Sequence, residues 1–363
     1  MTSYPHQAHF SRTQIPGHCC EAIWELVVQL QTSVHKSVGM AALSSAMRGS
    51  VKPKADFNVK EDAMALSKAI KGLGTDEKTL IQVLTHRSSD QRQLICKAYQ
   101  EATGKMLVKD LKGETSGNFT DLLVALVTPP AVYHCQQVRK ALKGVGTENS
   151  VLIEIFASTS NKKIKELSDA YSKETQRTLT EDLKKEISGD FASAILILAE
   201  GKRDESTNVD AAKAKEDAKI LYNAGEKKLG TDESKFIDIL CHRSIPQLRQ
   251  TLVEYNTISG RSLQESIERE MSGSLELLLV AIVKCVQSVP AYLAERLHKS
   301  MKGVGTDEGT LNRIMVSRSE IDMLDIRSEF KKLYNYSLHS AIQSDTQGDY
   351  EKALINLCGG DDA

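Results

Sequence analysis

The sequence predicts an all-α protein made of four copies of one unit of about seventy residues, and three observations carry that prediction. The first is a glycine loop that returns along the chain. It reads Lys71-Gly72-Leu73-Gly74-Thr75-Asp76-Glu77, Lys143-Gly144-Val145-Gly146-Thr147-Glu148-Asn149 and Lys302-Gly303-Val304-Gly305-Thr306-Asp307-Glu308. The copy third in chain order, Lys228-Leu229-Gly230-Thr231-Asp232-Glu233, has lost the first glycine. The second is an acid two residues before a Ser/Gln-Gly pair: Glu114, Glu186, Glu270 and Asp345 each lie 40 residues beyond Gly74, Gly146, Gly230 and Gly305. The third is an apolar stripe at helical spacing near the end of each unit: Phe119/Leu122/Leu123/Leu126, Phe191/Ala194/Ile195/Leu198, Leu275/Leu278/Leu279/Ile282 and Tyr350/Ala353/Leu354/Leu357.

In the first unit, Val59–Lys71 precedes the glycine loop and Asp76–Thr85 follows it, with Thr75 expected as the N-cap and Asp76 and Glu77 in the positive first turn. Ser89–Ala102 and Met106–Lys112 read as two further helices parted by Gly104, and Asn118–Val127 closes the unit. Five short helices per unit follow, with no sustained β alternation. Pro129-Pro130 joins the first unit to the second without slack. Gly201–Asn208 is polar and charged, and it accounts for most of the 84-residue step between Gly146 and Gly230, against 72 and 75 elsewhere. The units are therefore expected to group as two consecutive pairs with a linker between them.

Residues 1–54 stand outside the repeats. Met1–Gly17 reads as disordered. Glu21–His35 carries Ile23, Trp24, Val27, Val28 and Val34 on a helix-compatible pattern, either a helix packed on the core or an amphipathic segment for a protein partner. The apolar run near Trp24 is broken by Glu21, Glu25 and Gln29 and lacks a basic leader and cleavage site, so it is not read as a secretory signal.

Composition narrows the function classes. The 363 residues are 40% hydrophobic and 26% charged, the balance of a globular chain. Lys plus Arg (47) nearly equals Asp plus Glu (48), so there is no basic excess for nucleic acid and no polybasic membrane anchor. No apolar run is expected to reach the roughly 20 residues of a membrane span. Seven cysteines without a CxxC spacing read as buried free thiols of a reducing compartment, hence a cytoplasmic protein, with a Cys285–Cys358 pairing left open.

Alternating glycines let the backbone reach positive φ and turn its carbonyls outward. Carbonyl oxygens are hard ligands that suit Ca²⁺, which takes 6–8 oxygens at flexible geometry. About three carbonyls and a bidentate carboxylate leave positions open for a lipid phosphate oxygen. Each loop taken alone is more simply a helix-connecting turn, and each acid a charge complementing a helix start. A P-loop would need a preceding strand and Gly-Lys-Ser/Thr, and an EF-hand alternating acids within one loop; neither pattern is present. Four loops paired with four acids in one register favour calcium, and the last copy keeps a carboxylate while exchanging Glu for Asp.

On these residues the chain resembles the annexins from Phe57 to its C-terminus, and Asp204-Glu205-Ser206 with Cys358-Gly359-Gly360-Asp361-Asp362 looks closest to the annexin III subgroup. The resemblance implies five-helix repeats at 57–128, 129–200, 212–284 and 288–359, joined by a 201–211 linker and preceded by a 1–54 variable tail, in a slightly curved disc with calcium loops on its membrane-facing side. It implies a first site from the carbonyls of Ile70, Gly72 and Gly74 with Glu114, and a second from Leu142, Gly144 and Gly146 with Glu186. The third would use Gly225, Lys228 and Gly230 with Glu270, and the fourth Met301, Gly303 and Gly305 with Asp345. Accessory sites would use Thr75/Glu77, Thr231/Glu233 and Thr306/Glu308, a pattern that Asn149 breaks in the second repeat.

Two departures accompany the match. Arg87, Arg243 and Arg318 follow their glycines by 13 residues, where the second repeat has Thr159, and His134 stands where annexins usually carry the Asp that pairs with that Arg. Any channel or hinge role of that ion pair is thereby in question, and the remaining arginines are expected to bond carbonyls at the repeat centres. The implied function is calcium-dependent binding to anionic phospholipid membranes, without catalysis, by a protein monomeric in solution and able to assemble laterally on the bilayer. The alternative is a helical-repeat protein-interaction scaffold with incidental calcium binding.

Overall fold

A computed structural model describes residues 48–71, 74–143, 146–227 and 230–362. The readings on Met1–Gly17 and Glu21–His35 lie outside the described residues, as do Gly72, Gly144 and Lys228. Nineteen helices and no strand are found among the described residues. The first repeat holds α1 (Val59–Lys71), α2 (Glu77–Leu84), α3 (Ser89–Thr103), α4 (Leu107–Glu114) and α5 (Gly117–Val127). The second holds α6 (Pro130–Leu142), α7 (Asn149–Ser158), α8 (Asn161–Thr175), α9 (Leu179–Glu186) and α10 (Gly189–Ala199). The third begins with α11 (Ala211–Ala224), α12 (Glu233–His242), α13 (Ile245–Ser259) and α14 (Leu263–Glu270). Its fifth helix runs into the first helix of the fourth repeat as α15 (Gly273–Met301), followed by α16 (Glu308–Arg318), α17 (Met323–Tyr334), α18 (Leu338–Asp345) and α19 (Gly348–Cys358).

Helix α15 corrects the expectation that no stretch is long and apolar enough to cross a membrane. Its best window reaches a mean hydropathy of 1.8, yet 56% of that window is buried inside the protein. It is two core helices joined at a kink. Ser288 leaves helical geometry (φ −160, ψ 110). Its Oγ accepts the Ala291 N–H at 3.1 Å, as an N-cap does. Pro290 then supplies a pre-set φ for the new first turn.

Helix starts follow side-chain chemistry. The cap of α2 is Asp76, which accepts the Thr79 N–H, and not Thr75 as the sequence suggested. Asp307 caps α16 in the same way. Ser88, Thr178 and Ser262 form reciprocal capping boxes with Gln91, Glu181 and Glu265. The apolar stripes of the fifth helices point inward: Phe119, Leu122, Leu123 and Leu126 are all buried, as are Phe191, Ala194, Ile195 and Leu198.

The repeats do not pair as first with second and third with fourth across the linker. Across repeats, α5 touches α16 and α19 touches α2 and α5, joining the first repeat to the fourth; α10 touches α12 and α15, joining the second to the third. Two extended segments clasp these seams alike, the second one holding the second repeat through Asn161, which exchanges bonds with the Arg203 backbone at 2.8 and 3.2 Å. In one, the Lys54 N–H and carbonyl bond the Gln91 amide (2.9 and 2.8 Å), while the Val51 N–H reaches the Ser319 carbonyl. In the other, Asp210 bonds Gln247 at 2.8 and 2.9 Å, and the Asp204 N–H reaches the His242 carbonyl. The polar stretch after Gly201 is therefore held rather than slack, with Arg203 donating to the Leu240 and Arg243 carbonyls.

The arginines expected to bond carbonyls pair chiefly with carboxylates, and among them Arg87 also donates to a carbonyl, that of His86 at 3.1 Å. Arg87 grips Asp62 at 2.6 and 2.8 Å, Arg243 grips Asp217 at 2.8 and 3.0 Å, and Arg318 grips Asp322. Carbonyl bonding falls to Arg92, Arg203, Arg249 and Arg327. In the second repeat His134 and Thr159 replace such a pair, and burial pushes the His134 imidazole down to about 4, which leaves it neutral at pH 7. The second repeat is tied to the fourth by Glu154, which accepts two bonds from Arg313 (2.7 and 2.9 Å) and one from Arg296 (3.1 Å). Cys96, Cys135, Cys241, Cys285 and Cys358 are free thiols, so Cys285 and Cys358 are not paired. Burial raises the Cys241 and Cys358 thiols to about 12, far from the reactive thiolate.

Candidate functional site

Each glycine loop is built by the end of one helix and the start of the next. The loop is pinned by one backbone bond in every repeat: Asp76 N–H to Ala69 C=O (2.9 Å), Glu148 to Ala141 (3.0 Å), Asp232 to Ala224 (2.8 Å) and Asp307 to Ser300 (2.8 Å). The carbonyl next in line belongs to Ile70, Leu142, Gly225 or Met301. Leu142 and Met301 end their helices, Ile70 is next to last in its own and Gly225 caps the third, so all four carbonyls lie in the last turn, where oxygens have no intrahelical donor. They are the same residues that the sequence nominated as the first carbonyl ligand of each site.

Gly74, Gly146, Gly230 and Gly305 have φ of 87, 95, 83 and 85°, and Gly303 has 120°. A Cβ at any of these five would meet nothing within 4 Å, so glycine is required there by backbone conformation and not by packing. The third loop, which lacks the first glycine, solves the turn differently. Its pinning bond spans one residue more than in the other repeats, and Gly225 takes φ −118 and ψ −100. The added length carries Glu226, whose carboxylate is held by Arg261 (3.2 Å) and Ser266 (3.0 Å).

The distant acid meets the loop through a residue whose role the sequence did not reveal. Thr75 Oγ1 donates to the Glu114 carbonyl at 3.1 Å, Thr147 to Glu186 at 3.2 Å, Thr231 to Glu270 at 3.1 Å and Thr306 to Asp345 at 3.3 Å. Thr306 also contacts the Asp345 carboxylate, 2.6 Å from Oδ2. The shorter Asp side chain stays beside its own backbone, within reach of the same hydroxyl. The constant threonine of the motif was a visible signal, but it was read as a cap.

The acids end α4, α9, α14 and α18, so they sit at helix C-termini and not at helix starts as one sequence reading had it. A carboxylate there faces the negative end of the helix dipole, a position that disfavours it. Glu114, Glu186, Glu270 and Asp345 form no ion pair among the described residues. Hard oxygens, a turn that exposes them and an uncompensated carboxylate make a donor set that fits Ca²⁺.

Among the accessory residues, Glu77 and Glu308 line a cleft of about 460 Å³ between the first and fourth repeats, shared with Glu114, Asp345 and Asp349. Asn118 reaches across it to Glu308 at 2.8 Å. At the other seam Asn149 reaches Ser274 at 2.8 Å, an uncharged contact where the first repeat has Glu77. At the tip of the fourth loop Val304 is fully exposed, an apolar side chain aimed at solvent.

The annexin family model matches residues 61–126, 133–198, 216–282 and 292–357, one match per repeat. Over 323 residues the chain is 57% identical to annexin A3 of Homo sapiens, covering 89% of this chain and all of that protein. Over 314 residues it is 49% identical to annexin A4 of Homo sapiens, covering 86% of this chain and 98% of the relative. Among solved structures, annexin III superposes with a TM-score of 0.85 at 57% identity, over 87% of this chain and 98% of that one. Calcium-bound annexin (Sm)1 superposes with a TM-score of 0.77 at 34% identity, over 86% of this chain and 93% of that one. The chain belongs to the annexin family.

Proposed function

We propose that this protein binds anionic phospholipid membranes in a calcium-dependent manner, through calcium ions that bridge loop carbonyls and carboxylates to lipid phosphate. The observation that carries the reading is the threonine bond, made in all four repeats, that draws an acid 39 residues away onto the glycine loop. The primary sites are Ile70, Gly72 and Gly74 with Glu114, Leu142, Gly144 and Gly146 with Glu186, Gly225, Lys228 and Gly230 with Glu270, and Met301, Gly303 and Gly305 with Asp345. When bound, Ca²⁺ supplies a divalent charge with coordination positions to spare for a phosphate oxygen.

The chain's own residues set how such a site behaves. One carboxylate per loop leaves a divalent ion incompletely compensated, so affinity without lipid falls in the weak range of roughly 10⁻⁴–10⁻³ M. Lipid phosphate adds the missing negative charge, so lipid and calcium strengthen each other's binding reciprocally. Four sites acting on one surface multiply apparent affinity through effective concentration. Val304 at a loop tip adds an apolar group suited to the bilayer interface. The protein is a cytoplasmic, non-catalytic binder that moves to membranes when calcium rises, and net charge contributes little because the chain carries −1.

Sedimentation with phosphatidylserine-containing vesicles tests this directly. Binding is expected in calcium and reversal on chelation, whereas equal sedimentation in both would leave only the scaffold reading.

A further inference from the structure

Three of the four repeats carry a carboxylate faced by a basic residue that stands just before the fourth helix. In the first repeat it is Asp110, which accepts the Tyr99 hydroxyl at 2.7 Å, with Lys105 4.0 Å away. In the second it is Asp182, which accepts the Tyr171 hydroxyl at 2.7 Å and pairs with Arg177 at 3.0 Å. Both acids belong to the helix that ends in Glu114 or Glu186, one turn before that residue. The third repeat keeps the tyrosine as Tyr255 but has Ser266 where the acid would stand. Its carboxylate comes from the glycine loop instead. Glu226, the residue added to that loop, accepts from Ser266 at 3.0 Å. It also accepts from Arg261, the counterpart of Lys105 and Arg177, at 3.2 Å to each oxygen. The fourth repeat has Phe330, Tyr336 and Ala341 at the three positions, and the group is gone.

The exchange changes what the carboxylate joins. In the first two repeats it links the third helix to the fourth; in the third repeat it links the loop to α14. The first nominated carbonyl of the third site is that of Gly225, and it belongs to the planar peptide that joins Gly225 to Glu226. Anchoring the Glu226 side chain therefore restricts the plane that aims this carbonyl. Gly225 is gripped on its other side as well, since a Cβ there would come within 3.2 Å of the Phe236 ring. Ser266 and Glu270 are four residues apart on α14 and share one face, so anchor and acid ride on the same rigid helix. The Glu226 side chain is only 15% exposed, which limits screening of its pair with Arg261. This loop also has the most to gain from an anchor, because its pinning bond spans one residue more and each added residue has conformational entropy to lose on ordering.

We propose that Glu226 is the positioning residue of the third site: its anchorage to Arg261 and Ser266 holds the Gly225 carbonyl where one calcium ion reaches both it and Glu270. Glu226 acts through the peptide it shares with Gly225 and is not itself a ligand. The inference rests on the calcium reading above. It gives the third site a loop tie with no counterpart in the other loops, whose sequences lack the added residue.

The test follows hydrogen exchange of the full chain by mass spectrometry across a calcium titration without lipid, so that each loop reports its own midpoint. Wild type is compared with E226A and with E226R/R261E, which rebuilds the pair with its signs reversed. In E226A the segment 225–232 should need about fivefold more calcium for half-maximal protection, a part of what a charge-assisted bond can supply. Segments 70–77, 142–149 and 301–308 should keep their wild-type midpoints. E226R/R261E should bring the third midpoint back to within about twofold of wild type, as coupled residues do when their contact is restored. A pair that serves only the fold would lower resistance to urea and leave all four midpoints in place, which overturns the proposal. A midpoint that stays shifted in E226R/R261E overturns it too, because Glu226 would then act by its charge and not by its anchorage. In chelator, segment 225–232 should exchange faster in E226A than in wild type; equal rates would mean that the tie does not hold the loop and would also overturn it. If no loop of wild type gains protection in calcium, the calcium reading falls and takes this inference with it, a pattern distinct from a third loop that responds alike in wild type and E226A.

Discussion

Replacing Thr306 by valine removes a hydroxyl while keeping the side-chain volume, and it cuts the strongest of the four loop–acid connections. Thr306 contacts both the carbonyl and the carboxylate of Asp345, at 3.3 and 2.6 Å, whereas Thr75 reaches only the Glu114 carbonyl at 3.1 Å. A hydrogen bond nets about 0.5–1.5 kcal/mol, more when one partner is charged. With both groups partly exposed, the loss at Thr306 comes to about 1–2 kcal/mol, and the loss at Thr75 to about 0.5 kcal/mol. If these bonds pre-position the acid for calcium, the two changes cost roughly tenfold and twofold in calcium affinity. Four sites would mask a single loss, so the assay uses chains in which only one acid is retained. Asp345 is kept for T306V and Glu114 for T75V, with the other three acids replaced by amides. Calcium titration of vesicle binding should show the larger shift for T306V. Identical midpoints with and without the threonine hydroxyl would refute the claim that the bond organises the site.

Two further outcomes follow from the interior. Arg313→Leu leaves the Glu154 carboxylate, which is 3% exposed, with only its 3.1 Å bond from Arg296, and should destabilise by about 2–3 kcal/mol in urea unfolding, below the cost of a fully unpaired buried charge; a loss below about 1 kcal/mol would mean the Arg313 tie between the second and fourth repeats is dispensable. His134 titrates at about 4, below its unfolded value, so the stability it contributes is complete above pH 6.5 and is lost as pH falls toward 4. Because the side chain is only half-buried, that loss should reach about 1–2 kcal/mol, and H134L should remove it from the difference between unfolding at pH 7 and at pH 5.

Much of this fold is legible in the sequence because its signals repeat. Apolar spacing in Phe119–Leu126 and its three counterparts fixes the buried helices, and the register of loop and acid survives in all four copies. What the sequence concealed depends on three-dimensional choice. Thr75 and Asp76 are both good caps, and only the reach of Thr75 to Glu114 decides that Asp76 takes that role. Arg87 and Arg92 lie five residues apart and look interchangeable, yet Arg87 grips Asp62 within its own repeat, whereas Arg92 gathers three carbonyls and reaches Glu320 of the fourth repeat at 2.9 Å. Helix α15 reads as two helices by its repeats and as one by its hydropathy, and the kink at Ser288 reconciles them. The seams between first and fourth and between second and third repeats were hidden because chain order does not say which units pack together: the linker sits inside one packed pair, and the other pair joins the two ends of the repeat array.

The central claim is that Glu114, Glu186, Glu270 and Asp345 are metal ligands and not helix-end ornaments. The most direct measurement replaces all four by their amides and follows both folding and vesicle binding across a calcium titration. Carboxylates at helix C-termini oppose the dipole, so the quadruple variant should keep its helical dichroism and be at least as resistant to urea as wild type without calcium. It should also fail to sediment with phosphatidylserine vesicles at any calcium concentration that saturates wild type. A folded quadruple variant that binds vesicles at the wild-type calcium midpoint would contradict the account.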